Sequence, residues 1–125
     1  LVVCPSGWHL PSDNDWCILA KYVDSTVNCN ITGWIGTDVG YKMKSNILWP
    51  TDCKNSDDRT GFSALSGGHR NGDGEFVFRG TEANFWSSTE YTSSRGWLWQ
   101  FYCNQDKMYR EPSYGNDVSV RCIKN

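Results

Sequence analysis

No stretch of the chain approaches the roughly 18 consecutive apolar residues of a membrane span, and mean hydropathy is −0.58. A membrane span is therefore not expected. No block of five or more like charges occurs, and 12 Lys and Arg stand against 14 Asp and Glu. Without a basic stripe to neutralise phosphates, nucleic acid is not an expected partner. There are only two histidines, His9 and His69, and no Cys-x-x-Cys pair, so a structural zinc site has no ligand set. No period of 20–50 residues repeats, and no segment is low in complexity. Nor does a basic run followed by an apolar one open the chain, so a signal peptide or anchor is expected to have been removed or to lie upstream.

What is present fits one domain, 1–125, long enough to bury most of its apolar surface. Cys4, Cys17, Cys29, Cys53, Cys103 and Cys122 are even in number and widely spaced. In a small domain this reads as disulfides and an oxidising compartment. The residues leave the pairing open, although Cys17 with Cys29 would tie a helix to the loop after it.

That helix is predicted from two signals. Ser12 stands three residues before Asp15, the spacing of a capping box. Trp16, Leu19, Ala20 and Val23 then fall at i, i+3, i+4 and i+7, one apolar face of about three turns. Leu1 to Cys4 reads as a short opening strand. Residues 24–32 read as loop, and 33–41 hold Gly33, Gly36 and Gly40. From 45 to 60 no period is visible. Trp49-Pro50, Cys53 and the Asn55-Ser56-Asp57-Asp58 cluster suggest an irregular loop held by a disulfide.

Residues 61–91 are the part around which the rest is arranged. Asn71-Gly72-Asp73-Gly74 sits between short β-prone runs, and Gly and Asn accept positive φ cheaply, which is hairpin punctuation. Phe76-Val77-Phe78 reads as the return strand and Phe85-Trp86-Ser87-Ser88-Thr89 as a buried one. Further on, Trp97, Trp99, Phe101 and Cys103 share one side of an alternating strand, and Leu98, Gln100 and Tyr102 the other. Val118, Val120 and Cys122 read as a closing strand. One helix, mainly antiparallel sheet, long loops and disulfides make an α+β fold.

Gly61 to Arg70 and Phe85 to Tyr91, with Cys4-Pro5-Ser6-Gly7-Trp8-His9-Leu10-Pro11-Ser12, Trp16 and Ser119-Val120-Arg121-Cys122, resemble the Fibrobacter succinogenes major paralogous domain (FISUMP) family of exported bacterial proteins. The blocks span almost the whole chain in the family's order. The resemblance implies a C-type-lectin-like fold, shared with formylglycine-generating enzymes, in which Cys4 and Cys122 bracket the meeting of the terminal strands and are expected to be bonded. Family members usually carry a portion before the Cys-Pro-Ser-Gly-Trp block; here an upstream segment or a partner is expected to supply it.

Candidate chemistry follows. Cys103, with Arg95 and Arg110 not far in sequence, could be a reactive thiol of the kind the related enzymes use, but a disulfide is the simpler reading. Ser66 near His69 lacks a nucleophile elbow. His69 reads as a polar hairpin residue and His9 as a structural one, so no enzyme is expected. Glu111-Pro112-Ser113 and Asn116-Asp117 are weak echoes of lectin calcium motifs; Asp73 and Glu75 beside Asn71 are accounted for by the hairpin. No cofactor is expected, calcium being the alternative. Asn30-Ile31-Thr32 and Asp24-Ser25-Thr26 match short glycosylation patterns of the kind chance produces.

Seven Trp and six Tyr exceed what one small core easily buries, and aromatic faces serve as platforms for sugars and protein hot spots. Pattern and family blocks assign Trp8, Trp16, Trp86 and Trp97 to the core. Trp34, Trp49, Trp99, Tyr102, Tyr109 and Tyr114 remain. The resemblance places ligands on the loops and last strands, residues 92–116. The expected ligand set is Arg95, Trp99, Tyr102, Tyr109, Arg110 and Tyr114, in an adhesin-like, extracellular or cell-surface module for a glycan or protein ligand. The alternative is a subunit of a surface assembly or filament whose ligand is a neighbouring chain.

Overall fold

The computed structural model describes residues 3–53 and 56–125; the expectations for Leu1, Val2 and Asn55 lie outside these. The elements run β1 (Trp8–His9), α1 (Asp13–Val23), β2 (Gly33–Ile35), α2 (Val39–Met43), a 3-10 turn (Thr51–Cys53), β3 (His69–Arg70), β4 (Phe76–Val77), β5 (Glu82–Thr92), β6 (Arg95–Tyr102), β7 (Met108–Pro112) and β8 (Ile123–Lys124). Every strand pair is antiparallel. The main sheet has the order β2-β7-β6-β5, with β1-β8 and β3-β4 as separate two-stranded ribbons. This is a mainly antiparallel α+β fold, and none of its helices is long and apolar enough to cross a membrane among the described residues.

α1 begins where its cap dictates. Ser12 Oγ accepts from the Asp15 amide at 3.0 Å and Asp15 Oδ2 accepts from the Ser12 amide at 2.9 Å, so two end donors are satisfied reciprocally. The Ser12 amide, with help from His9, holds the Asp15 carboxyl below its usual range. Ser12→Ala is expected to cost about 1 kcal/mol in a denaturant titration; an unchanged midpoint would mean the helix starts elsewhere.

Both helices pack on one face of the main sheet. Trp16 and Ala20 from α1 and Val39 and Met43 from α2 form one core with Ala83, Phe85, Trp99, Phe101 and Met108. Trp16 lies stacked 6.1 Å from Trp99 and tilted 5.6 Å from Phe85. β6 alternates as expected, Trp99 and Phe101 facing the helices.

Three bonds use all six cysteines: Cys4–Cys122, Cys17–Cys29 and Cys53–Cys103. Cys17–Cys29 ties α1 to its following loop. Cys53–Cys103 pins the irregular 45–60 region to the end of β6. The turn after β2 needs glycine, because Gly36 has φ +80° and a Cβ there would lie 2.7 Å from Asp24 Oδ2. That carboxylate accepts from the Thr26, Thr37 and Asp38 amides and the Thr26 hydroxyl. Burial alone would raise it, but the hydrogen bonds win and hold it well below the carboxylate range.

Several expectations need correction. The strand pairing at the termini is Trp8–His9 with Ile123–Lys124; Val3 and Cys4 are outside any strand. The expected strand through Val118, Val120 and Cys122 is replaced by isolated bridges at Asp117 and Ser119. The return strand stops at Val77, since Phe78 takes φ 59°, which breaks an extended run. Trp8 is 44% exposed, whereas Trp49 and Trp99, which had no core assignment, are 3% and 0% exposed. β2 and α2 were not anticipated at all.

A sheet face of aromatic rings and carboxylates

Trp99 and Arg110, two members of the expected ligand set, belong to the interior, which corrects that part of the expectation. They sit opposite each other on β6 and β7, on the side the helices cover, and both converge on Asp13 in the first turn of α1. Arg110 grips Asp13 through Nε (2.8 Å) and Nη2 (2.6 Å), donates to the Ile31 carbonyl, and lies 3.7 Å over the Trp97 ring. Trp99 Nε1 donates to Asp13 Oδ1 at 2.9 Å. The Asp13 amide donates in turn to Thr89 Oγ1. These groups position α1 on the sheet and leave nothing free for a ligand.

Tyr102 and Tyr109 do come together on the opposite face. They lie 6.0 Å apart, and Trp34, which pairs with Tyr109 across β2 and β7, meets both edge to face at 5.3 and 4.8 Å. Trp34 is 42% exposed and the tyrosines are half-buried. Beneath them a polar chain crosses the strands. His69 Nδ1 meets Glu82 at 3.3 Å, Asn84 Nδ2 donates to Glu82, and Gln100 Nε2 donates to Asn84 Oδ1 at 2.8 Å. Burial, then the charges of Glu82 and Glu111, push the Tyr102 phenol up. Burial likewise raises Glu111, with Glu82 adding to it and Gln100 opposing.

The remaining pair, Arg95 and Tyr114, forms a second cluster. Arg95 donates to the Ser113 carbonyl and its guanidinium lies 4.5 Å from the Tyr114 ring and 5.2 Å from Tyr91. It occupies the far end of β6 from Tyr102, about 23 Å away at about 3.3 Å per residue. The six expected residues therefore divide into two buried, two on the sheet face and two at the strand end. Sequence reasoning missed Trp34, Glu82 and Glu111 as neighbours of Tyr102, because cross-strand partners far apart in sequence set that grouping. Trp34 carried a signal as a tryptophan outside the core pattern, and Glu111 one as part of the Glu111-Pro112-Ser113 motif echo, but Glu82 carried none.

Other candidate groups have structural partners. Ser66 Oγ donates to the Leu48 carbonyl, His9 meets Asn125 and Asp15, and Asp117 pairs with Arg70. Asp73 and Glu75 amides donate to Asn71 Oδ1, a hairpin arrangement. Among the described residues no group of three or more His, Cys, Asp or Glu could hold a metal. Lys44 is fully buried, donates to the Tyr102 and Gln105 carbonyls at 3.0 and 2.9 Å, and is lowered by burial to about 8 against the pull of Asp106.

Fold and site together define a small, disulfide-tied α+β domain with helices on one sheet face and an aromatic, acidic surface on the other. The chain belongs to the family of the Fibrobacter succinogenes major domain, which it matches over residues 2–124. No curated protein and no solved structure matches it.

Proposed function

We propose that this domain is a non-enzymatic, adhesin-like binding module of an exported bacterial protein, working outside the cell and taking a glycan or protein ligand. The observation that carries the reading is the contiguous Trp34–Tyr102–Tyr109 cluster on the sheet face opposite the helices, since clustered, partly exposed aromatic rings suit sugar rings and hot-spot contacts. Three disulfides fit an oxidising compartment. A C-type-lectin-like fold is part of the proposal, supported by the paired terminal strands and the bond that closes them. No cofactor enters it.

The test is a glycan array with and without calcium, followed by Trp34→Ala and Tyr109→Ala. Each variant is expected to weaken binding by more than about 1 kcal/mol while unfolding as the parent does. Unchanged affinity in both would remove this face from the reading.

A second reading, a subunit of a surface assembly, is favoured by a different observation. A groove of about 410 Å³ runs beside α1, lined by Trp16, Ile18, Leu19, Tyr22, Phe62 and Ile123, and Phe76 on the β3-β4 hairpin is strongly exposed. Concentration-dependent association in sedimentation, lost in Ile18→Ser or Phe76→Ser, would select this reading.

A further inference from the structure

The groove beside α1 is apolar, and it carries a charge of one sign. Buried or half-buried Trp16, Leu19 and Phe62 line it with the exposed Ile18 and Tyr22 of α1. Two charged residues also reach it, Asp15 and Arg121. Asp15 is already engaged, accepting from the Ser12 amide at 2.9 Å and lying 3.4 Å from His9 Nε2. Arg121 has no carboxylate partner among the described residues; its guanidinium stands 4.5 Å over the Phe62 ring. What the groove presents is apolar surface with an uncompensated cation beside it.

The β3-β4 hairpin carries the complementary features. Phe76 is 84% exposed and makes no ring contact among the described residues, whereas Phe78 leans on His69 at 5.5 Å. Next to Phe76 stand Asp73 and Glu75, both exposed and neither in an ion pair among the described residues. Glu75 Oε2 accepts only from the neutral Asn71 side chain. Arg70 of the same hairpin is neutralised by Asp117, and Arg79 follows only after the chain turns at Phe78, whose φ is 59°. Asn71 Oδ1 accepts from the Asp73 and Glu75 amides, and Arg70 Nε donates to the Gly74 carbonyl. So braced, the hairpin has little freedom to lose on docking.

A single exposed phenylalanine needs no explanation by itself. This one has a groove on the same chain that matches it in polarity and its neighbours in charge. Phe76 lines a separate recess with Gly68, His69 and Asp117, and no residue is common to that recess and the groove, so the match is available between two copies. We propose that Phe76 of one copy docks in the α1 groove of the next, with Glu75 set against Arg121. The inference rests on the assembly reading above and adds which surfaces meet. The contact is heterologous, because each copy gives a hairpin and receives one, and copies add head to tail. Pairing two grooves about a two-fold axis would instead face one concave surface with another and bring Arg121 toward its own copy. A small amphiphile suits the groove less well, since Tyr22 at its edge is 90% exposed and small-molecule sites enclose most of their ligand.

The test is sedimentation velocity of the parent chain and of Ile18→Ser and Phe76→Ser, both substitutions at exposed positions. The parent is expected to form species larger than a dimer as concentration rises. Each variant alone is expected to associate at least tenfold more weakly with an unchanged unfolding midpoint. Mixing the two decides the matter, because one keeps the hairpin and the other keeps the groove: the equimolar mixture should form a dimer with parental affinity and stop there. Glu75→Arg and Arg121→Glu repeat the scheme for charge, each weakened alone and restored together, and added salt should weaken the parent contact. If the parent associates but neither mixture recovers a dimer, the hairpin-to-groove contact falls and the assembly reading stands. A parent that stops at a dimer and is indifferent to Phe76→Ser has a two-fold interface, which also overturns the contact alone. A parent that stays monomeric at every concentration overturns both.

Discussion

Asp13→Ala is expected to lower the unfolding free energy by about 3–5 kcal/mol, the usual cost of removing one partner from a buried ion pair. The reason is what the substitution leaves behind. Arg110, whose side chain is 7% exposed, would keep its charge and lose both hydrogen bonds to the carboxylate. Trp99 Nε1, on a fully buried ring, would lose its acceptor. α1 would also lose an acidic residue of its first turn, where a negative charge complements the helix dipole. Asp13→Asn keeps an acceptor for Trp99 and should cost less. Replacing Asp13 and Arg110 together by leucine and methionine should recover much of the loss, because no charge is then stranded. Urea titrations of the three variants decide the matter, and an Asp13→Ala midpoint within error of the parent would show that the pair does not hold α1 to the sheet.

The double variant Cys4→Ser/Cys122→Ser is expected to cost about 2–5 kcal/mol, the common range for a native bridge in a small secreted domain. The two cysteines are 118 residues apart, against 12 for Cys17 and Cys29. On the chain-entropy argument the longer loop restrains the unfolded chain more, so removing Cys17–Cys29 should cost less. Intact mass should fall below that of the fully reduced chain by two hydrogens for each of the three bonds. Thermal unfolding of each double variant gives the ranking, and equal losses would count against the loop-length explanation.

How far the sequence could be read depended on the distance over which each feature is decided. The cap of α1 was legible because Ser12 and Asp15 satisfy each other within one turn. The β3-β4 hairpin was legible because Asn71 supplies its own turn chemistry. The alternation of β6 was also visible, but not what Trp99 does on its side of the strand. That depends on Asp13, 86 residues away. β1, β8 and β2 have two or three residues each, too few to show a period, and exist because of the partners they pair with. The aromatic sheet face shows the same limit. Tyr102 and Tyr109 lay in the expected segment, whereas Trp34 joins them only through the β2-β7 register. Arg110 was misplaced because nothing local tells a buried, paired guanidinium from an exposed one.

The Cys4–Cys122 bond also sets how the domain responds to tension. A pull exerted through the residues flanking the two cysteines enters and leaves the fold at one point, beside the β1-β8 ribbon. The load passes across a single covalent link, and the chain between its ends, a sequence separation of 118, cannot be drawn out as slack. Under shear flow, a chain containing this domain would therefore lengthen elsewhere first, and the cluster of Trp34, Tyr102 and Tyr109 would keep its shape until that sulfur link is reduced.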